Sequence, residues 1–174
     1  MQKLLPNSSN KILNIRSAKI KSLVELQGRK RATKSIRNEY IEKYKNVNII
    51  NTHTGINLKL SKRGIKDTLC HGNNNAKLAT IEFIANLLVN GKLINQETDL
   101  KGRPIKWIYL KNIIILDDHP QIIILDIKKD QHGCRFYNHT IKNNITGNPS
   151  VIDNNINKNL DHPAYVISDN NIPQ

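Results

Sequence analysis

Hydrophobic positions change their spacing along the chain. In its first half they recur every three or four residues, which is the period of a helix with one buried face. Ile20, Leu23 and Val24 begin such a stripe, and it resumes after Gly28. The clearest case is "AKLATIEFIANLLVNG", in which Gly91 supplies a stop signal. These patterns predict a helical N-terminal segment and a central helix that ends near Gly91.

Farther along, apolar residues come in short isoleucine-rich runs. The runs "IKWIYLKNIIIL" and "QIIILDIKK" are joined by "DDHP", and "CRFYNHTIK" follows through "QHG". β-Branched and aromatic residues between turn signals are typical of strands. Residues 106–116, 121–129 and 134–142 are therefore predicted to form an antiparallel meander.

Shorter elements precede the central helix. "NVNII" and "INLKL" are strand candidates around the turn "NTHTG", and Ser61 can cap a helix over residues 62–70 before the loop "HGNNN". Helices followed by strands, without βα alternation, indicate an α+β fold. We expect two central helices packed on a small antiparallel sheet in the order β-β-α-α-β-β-β, with a basic N-terminal helical arm.

Charge divides the chain into three parts. Residues 1–45 carry a net charge of +9, residues 46–143 carry +6 and residues 144–174 carry −2. The first part reads as the helical arm, with Ser17 as its cap. The second reads as the folded domain. The third is rich in Asn, Asp and Pro, has no sustained period, and is expected to be a disordered tail.

The formal net charge of +13 points to a polyanionic partner, for which nucleic acid is the first candidate and RNA is preferred over DNA. A lysine excess from compositional bias is the alternative. The arm has a cationic face that contains Arg29, Lys30 and Arg31. This face is a candidate contact with nucleic acid, and a solvated helix or a linker is an equal alternative.

The cellular setting follows from what the sequence lacks. Two cysteines do not form a disulfide framework, and the N-terminus has no apolar stretch of signal-peptide length. No run approaches the roughly 20 apolar residues of a membrane span. We therefore expect a protein that works in a cytoplasm, its own or that of a target cell, without contact with membrane.

The candidate chemistry rests on histidines and cations. The sequence has no Gly-rich phosphate loop, nucleophile elbow or zinc spacing, and its carboxylates are scattered, so no metal and no cofactor are predicted. Metal-free RNA cleavage needs a base, an acid and a cation for the phosphorane charge. Histidine suits the first two roles because its pKa lies near neutrality.

His71 lies in the loop between two predicted helices, and His139 lies on the last strand, where alternation groups it with Arg135, Tyr137 and Ile141. For each histidine, the alternative to a catalytic role is an ordinary position on the protein surface. The predicted catalytic residues are His71, His139, Lys77 and Arg135. The predicted substrate-binding residues are Ser61, Lys62, Arg63, Tyr137 and Asn138, together with Arg29, Lys30 and Arg31.

The segments "TGINLKLSKRGIKDTLCHG", "KLATIEFIANLL", "KGRPIKWIYL" and "GCRFYNHTI" resemble a nuclease-like domain of phage and mobile-element large polyvalent proteins. That domain belongs to the barnase, EndoU, colicin and RelE-like group. The resemblance covers roughly residues 46–143. It implies a small α+β fold and metal-independent RNase activity, often in toxin or conflict systems, with an immunity or antitoxin protein as a candidate partner.

Two functions follow as expectations. The first is a metal-independent endoribonuclease in which His71 and His139 share the general acid and base roles. The resemblance places its serine–glycine pattern on Ser61 and Gly64. The alternative is a non-catalytic accessory domain that binds nucleic acid or protein within a phage or polyvalent protein.

Overall fold

A computed structural model describes residues 12–44, 47–70 and 74–142, all within one compact unit, Met1–Asn144. The side chain of Cys70 lies outside this description, as do His71 and the predicted tail. In chain order the elements are β1 (Leu13–Ile15), α1 (Ala18–Gln27), α2 (Arg29–Tyr44), β2 (Asn48–Ile50), β3 (Asn57–Lys59), α3 (Lys62–Cys70), α4 (Asn75–Ile81), α5 (Ile84–Asn90), β4 (Lys92–Thr98), β5 (Lys106–Leu116), β6 (His119–Asp130) and β7 (Gly133–Lys142).

The strands form one seven-stranded sheet in the order β1-β5-β6-β7-β3-β2, with β4 also paired to β5. The strands β1 and β4 divide one edge of β5 between them. The strand β4 pairs with β5 from Lys106 to Lys111, whereas β1 pairs with it from Ile114 to Leu116. The long meander β4-β5-β6-β7 is antiparallel throughout, because short turns can join only antiparallel neighbours.

The α+β class and the three predicted meander strands are confirmed, and so are the two short strands around the "NTHTG" turn. The predicted order is wrong in detail, because three helices and a further strand, β4, follow β3. The sheet is also mixed, since β1 pairs with β5 and β3 pairs with β7 in parallel. Both parallel pairs join segments that are distant in sequence, which a local pattern does not reveal.

The predicted central helix is in fact two helices. The helix α4 ends at Ile81 and α5 begins at Ile84. At the break, the Phe83 N–H donates to the carbonyl of Thr80 at 3.0 Å, an i to i−3 bond that tightens the turn. Both helices keep their apolar faces in the core, so the hydrophobic period continues across the break.

The N-terminal helices form as predicted, with Gly28 between them at φ +76°. Their buried residues include Ile20, Ile36 and Tyr40, which join the same hydrophobic core as the sheet. The predicted capping role of Ser17 is wrong, because its side chain makes no cap bond to α1.

Instead, Ser17 is held by the turn between β5 and β6. The Ser17 N–H donates to Oδ1 of Asp117 at 2.8 Å, and its hydroxyl donates to Oδ2 at 2.5 Å. Asp117 and Asp118 adopt positive φ values of 48° and 66°, which suits a tight hairpin turn. A turn that is distant in sequence therefore fixes the start of α1.

The core lies between the helices and one face of the sheet. It is almost wholly aliphatic, as the low aromatic content requires. Alternate residues of the long strands point into it, and the fully buried ones include Ile108, Leu110, Ile123, Leu125 and Phe136. The residues between them point to the opposite face, which we call the outer face.

Helix α3 lies directly against β7. A Cβ atom added at Gly64 would stand 2.0 Å from the carbonyl oxygen of Phe136, so only glycine permits this approach. The predicted cap of α3 is confirmed, since Ser61 Oγ accepts a hydrogen bond from the Gly64 N–H at 3.0 Å. The serine–glycine pair thus serves both the helix start and its docking.

Replacing Gly64 by Ala should therefore destabilise the protein strongly. The methyl group would meet backbone on β7 that cannot rotate away, and overpacking of this kind typically costs about 1–3 kcal/mol or more. Lys66→Ala on the exposed side of α3 is the matched control and should change the free energy of unfolding by less than about 0.5 kcal/mol. Urea unfolding of the two variants measures the difference, and equal stabilities would contradict the proposed contact.

Candidate nucleic-acid interface

Two rows of side chains cross the outer face. In the first row the strand register joins Glu97, Trp107, Lys128 and Arg135, and the parallel pairing with β3 adds Lys59. Residues directly opposite each other in a register share one face of a sheet. The first row therefore places Lys128 directly beside Trp107, with Arg135 and Lys59 one and two strands farther along the row.

The second row contains hydrogen-bonding side chains: Asn95, Tyr109, Asp126 and Asn138. Asn95 donates to Glu97 Oε1 at 2.7 Å, and the Tyr109 hydroxyl donates to Glu97 Oε2 at 3.4 Å. Burial, followed by the charge of Glu97, raises the pKa of Tyr109 to about 12. Glu97 thus links the two rows on β4.

Tyr137 completes an aromatic pair with Trp107. A β-bulge makes Tyr137 the extra residue on β7, since Ile127 pairs with Phe136 while Asp126 pairs with Asn138. The rings of Trp107 and Tyr137 meet edge to face, with centroids 5.1 Å apart. Both residues are only partly buried, so the pair presents aromatic surface on the outer face.

The same bulge corrects the predicted alternation of β7. Arg135 and Tyr137 lie on the outer face, but His139 pairs with Leu125 and is fully buried on the core side. Ile141 also packs against the core. One extra residue on β7 therefore separates His139 from the two residues with which a regular strand would have grouped it.

A pocket beside α3 brings together Ser61, Arg63, Arg135 and Tyr137 from the predicted site. Lys128, Asp67, Gly64 and the Phe136 backbone region line it as well. Arg135 and Lys128 both form ion pairs with Asp130, and Lys128 Nζ lies 3.8 Å from Asp130 Oδ2. Arg63 Nε lies 3.6 Å from Asp67 Oδ2. Lys62 is exposed at the start of α3 and does not line the pocket.

A second cluster surrounds Lys77, whose side chain reaches from α4 to β7. Lys77 Nζ donates to Asn138 Oδ1 at 3.1 Å, and Thr68 Oγ1 lies 3.0 Å from the same oxygen. Asn138 Nδ2 in turn donates to Asp126 Oδ2 at 3.3 Å. Burial raises the pKa of Asp126 to about 6 and lowers the pKa of Lys77.

His139 is held between two threonines. Its Nδ1 lies 2.8 Å from Thr68 Oγ1 and its Nε2 lies 2.8 Å from Thr80 Oγ1. Thr80 Oγ1 also donates to the carbonyl of Lys77 at 3.0 Å, so this hydroxyl accepts from the ring. Burial, and then the charge of Lys77, lowers the pKa of His139 to about 3. A neutral ring therefore ties α3 and α4 to β7.

The predicted site thus divides into groups. Ser61, Arg63, Arg135 and Tyr137 meet at the pocket, while Lys77, Asn138 and His139 belong to the polar cluster. Arg29, Lys30 and Arg31 lie in the first turns of α2, in the helical layer, and Lys30 and Arg31 are exposed. With His71 outside the described residues, the pairing of His71 with His139 and the catalytic roles of both stay predictions.

Sequence reasoning missed the residues that give the outer face its character, above all Trp107, Tyr109, Asp126 and Lys128. Each sits in a strand that was predicted, at an alternate position to the buried isoleucines. Their alternation was a usable signal, because polar and aromatic residues at those positions mark the second face of the sheet. Their alignment across strands required the register.

Within residues 12–44, 47–70 and 74–142, no group of three or more His, Cys, Asp or Glu side chains could hold a metal ion. No helix in the same ranges is long and apolar enough to cross a membrane.

The sequence profile of the large polyvalent protein-associated domain 3 family matches residues 27–137, more than half of the chain. The chain belongs to this family. The predicted polyvalent-protein context of phages and mobile elements is confirmed, whereas the nuclease group is not what the match identifies. The match to the large polyvalent protein-associated domain 3 family runs from the end of α1 into β7, and includes the pocket, Lys77 and Asp126. Comparisons with curated proteins and with solved structures gave no match.

The pKa values of Asp126 and His139 have opposite effects on stability. A carboxyl with a raised pKa binds protons in the folded state that the unfolded state releases, so its contribution to stability falls as pH rises from 3.8 to about 6. A histidine with a lowered pKa does the reverse, so its contribution rises with pH from about 3 to 6.5. The two effects partly cancel over their common range.

Asp126→Asn should therefore steepen the acid sensitivity of the fold. With the Asp126 effect removed, the free energy of unfolding should fall more on acidification from pH 6.5 to 4 than it does in the wild type. At pH 7 the variant should be more stable, by about 1–2 kcal/mol. Tyr109, which faces Asp126, has a pKa of about 12 and stays protonated over this range. Burial lowers the pKa of Lys77, the other ionisable group beside Asp126. Urea unfolding between pH 4 and 8 measures both slopes, and identical slopes would refute the assigned titrations.

Proposed function

We propose that the domain binds single-stranded RNA on the outer face of its sheet, as a nucleic-acid-binding part of a polyvalent protein. The observation that carries this proposal is the Trp107–Tyr137 pair beside Lys128, Arg135 and Lys59. Single-strand-binding surfaces combine aromatic platforms for bases with cations that follow the phosphates.

Bases that stack on the Trp107–Tyr137 pair contribute affinity that does not depend on the RNA sequence. Each base stacked on an aromatic side chain contributes about 1–3 kcal/mol. The indole N–H of Trp107 interacts with Asp99, and the Asp99 carboxylate is also held by Arg103 at 2.7 and 2.8 Å. The ring is therefore held in place before a base arrives, and less side-chain entropy is lost on binding.

The second row favours RNA over DNA. Asn95, Asp126 and Asn138 carry donors and acceptors two or three residues along the same strands from the first row. The 2′-hydroxyl of ribose is both a donor and an acceptor, and it is the group by which proteins distinguish the two polymers. Matched RNA and DNA oligonucleotides are therefore the natural comparison.

Replacing Trp107 by Leu should weaken binding of a labelled single-stranded RNA by about 5- to 150-fold, because one stacking platform is lost. Trp107→Phe keeps an aromatic face and should retain most of the affinity. Fluorescence anisotropy measures both. Trp107 is the only tryptophan in the sequence, so quenching of wild-type emission by RNA reports contact at this residue directly.

Charge variants provide the matched control for the same assay. Lys128→Ala should weaken RNA binding and reduce the slope of log affinity against log salt by roughly 0.7, the value for one phosphate contact on a single strand. Lys66→Ala removes the same charge from exposed α3 and should leave the slope nearly unchanged. Equal effects of both variants, or unquenched Trp107 emission at saturation, would refute the proposed interface.

A second candidate function is metal-independent cleavage of RNA, which the family resemblance implies. The observation that favours it is Asp126, a half-buried residue whose carboxyl has its pKa raised to about 6 by burial and is linked through Asn138 to Lys77. Such a carboxyl can exchange protons near neutral pH, and an adjacent ammonium can oppose charge on a phosphorane. His139 is buried, so its proposed role in cleavage would require a different conformation.

An RNA degradation assay separates the two functions. If the wild type cleaves RNA, a chelator should have no effect, and Asp126→Asn should slow cleavage by about 10²- to 10⁴-fold while RNA affinity is maintained. Cleavage that persists in Asp126→Asn would exclude Asp126 as the acid–base group. RNA that stays intact in the purified wild type would leave binding as the function of this surface.

A further inference from the structure

The pocket between α3 and β7 differs from the flat outer face in being concave and small. Its volume is about 50 Å³. Arg63, Lys128 and Arg135 border this space. The pocket is therefore a small concave site beside three cations, which an anionic group such as a phosphate can enter.

The charges around the pocket suit an anion. Arg63, Lys128 and Arg135 face two carboxylates, Asp67 and Asp130, so these five lining or adjacent groups carry one net positive charge. The Arg63 side chain is 87% exposed and its carboxylate contact is long at 3.6 Å, so it can turn towards a ligand. Arginine offers paired N–H donors that match phosphate oxygens.

The floor of the pocket is closed. Gly64 and the Phe136 carbonyl are in contact there, since no Cβ fits between them. A phosphate can therefore enter only from the open side of the pocket. A phosphate at the end of a strand can enter with no chain continuing beyond it, and it carries up to two negative charges where an internal phosphodiester carries one.

We propose that this pocket binds the terminal phosphate monoester of the RNA strand whose bases stack on Trp107 and Tyr137. Arg63, Lys128 and Arg135 hold the phosphate oxygens, and Asp130 gives up part of its contact with Lys128 and Arg135 as the phosphate enters. This assignment rests on the proposed RNA-binding function of the outer face, and it adds a requirement for a specific end of the strand.

Three versions of one short RNA test the assignment: one with a 5′-phosphate, one with a 3′-phosphate and one with hydroxyls at both ends. One phosphorylated form should bind about tenfold more tightly than the unphosphorylated form, equivalent to about 1.4 kcal/mol. The arm with the higher affinity identifies the strand polarity. The measured quantity is the affinity ratio between the phosphorylated and unphosphorylated RNA for each protein.

Two variants are expected to change the affinity ratio in opposite directions. Arg135→Ala should bring the affinity ratio close to one. Asp130→Asn should increase it, because the amide no longer competes for Lys128 and Arg135, and its oxygen can still accept from the His132 N–H that Asp130 Oδ1 now binds at 2.9 Å. Lys66→Ala, outside the pocket on α3, should leave the ratio at its wild-type value.

The outcomes distinguish this proposal from the one on which it rests. If unphosphorylated RNA binds through Trp107 but neither terminal phosphate raises the affinity, the terminal-phosphate pocket is refuted and the outer face remains the binding surface. If a terminal phosphate helps equally in wild type and Arg135→Ala, the phosphate binds elsewhere and the assignment is also refuted. If RNA does not bind at all, the proposed function itself fails.

Discussion

The close approach of α3 to β7 is the contact on which the rest of the structure depends. It exists because Gly64 has no side chain where the Phe136 carbonyl stands. Once the helix is that near, Thr68 can reach both Asn138 and His139, at 3.0 and 2.8 Å, and the sheet can bury Phe136 completely. The pocket and the polar cluster are both consequences of this one short distance.

The polar cluster shows how the fold tolerates ionisable groups near its core. His139 is buried but neutral, and both ring nitrogens are within hydrogen-bonding distance of threonine hydroxyls, so the core contains no unpaired charge at this residue. Asp126 and Lys77 retain hydrogen bonds to Asn138, yet burial disfavours the charged form of each. Asn138 can serve both because an amide offers an acceptor to Lys77 and a donor to Asp126.

The two faces of the sheet have different roles. The inner face is aliphatic and carries the helices, whereas the outer face carries aromatic rings, cations and amides on the same strands. The family match adds the polyvalent-protein setting. Along each strand the outer-face side chains alternate with those of the core. The two sides meet at Asn138, whose Oδ1 contacts Lys77 and Thr68 of the helices.

The sequence by itself determined the class of fold, the meander, the Ser61 cap and the paired N-terminal helices, since each of these depends on local spacing and turn chemistry. Of the twelve residues that it proposed for the site, Ser61, Arg63, Arg135 and Tyr137 line one pocket. Tertiary structure alone decided the parallel pairings of β1 and β3, the capture of Ser17 by Asp117, and the bulge that turns His139 inward. The parallel pairings and the capture of Ser17 depend on partners about 70 to 100 residues away, and a periodic pattern contains no information about which distant strand or turn will lie alongside. The bulge depends on the register between β6 and β7, which hydrophobic alternation within β7 does not reveal.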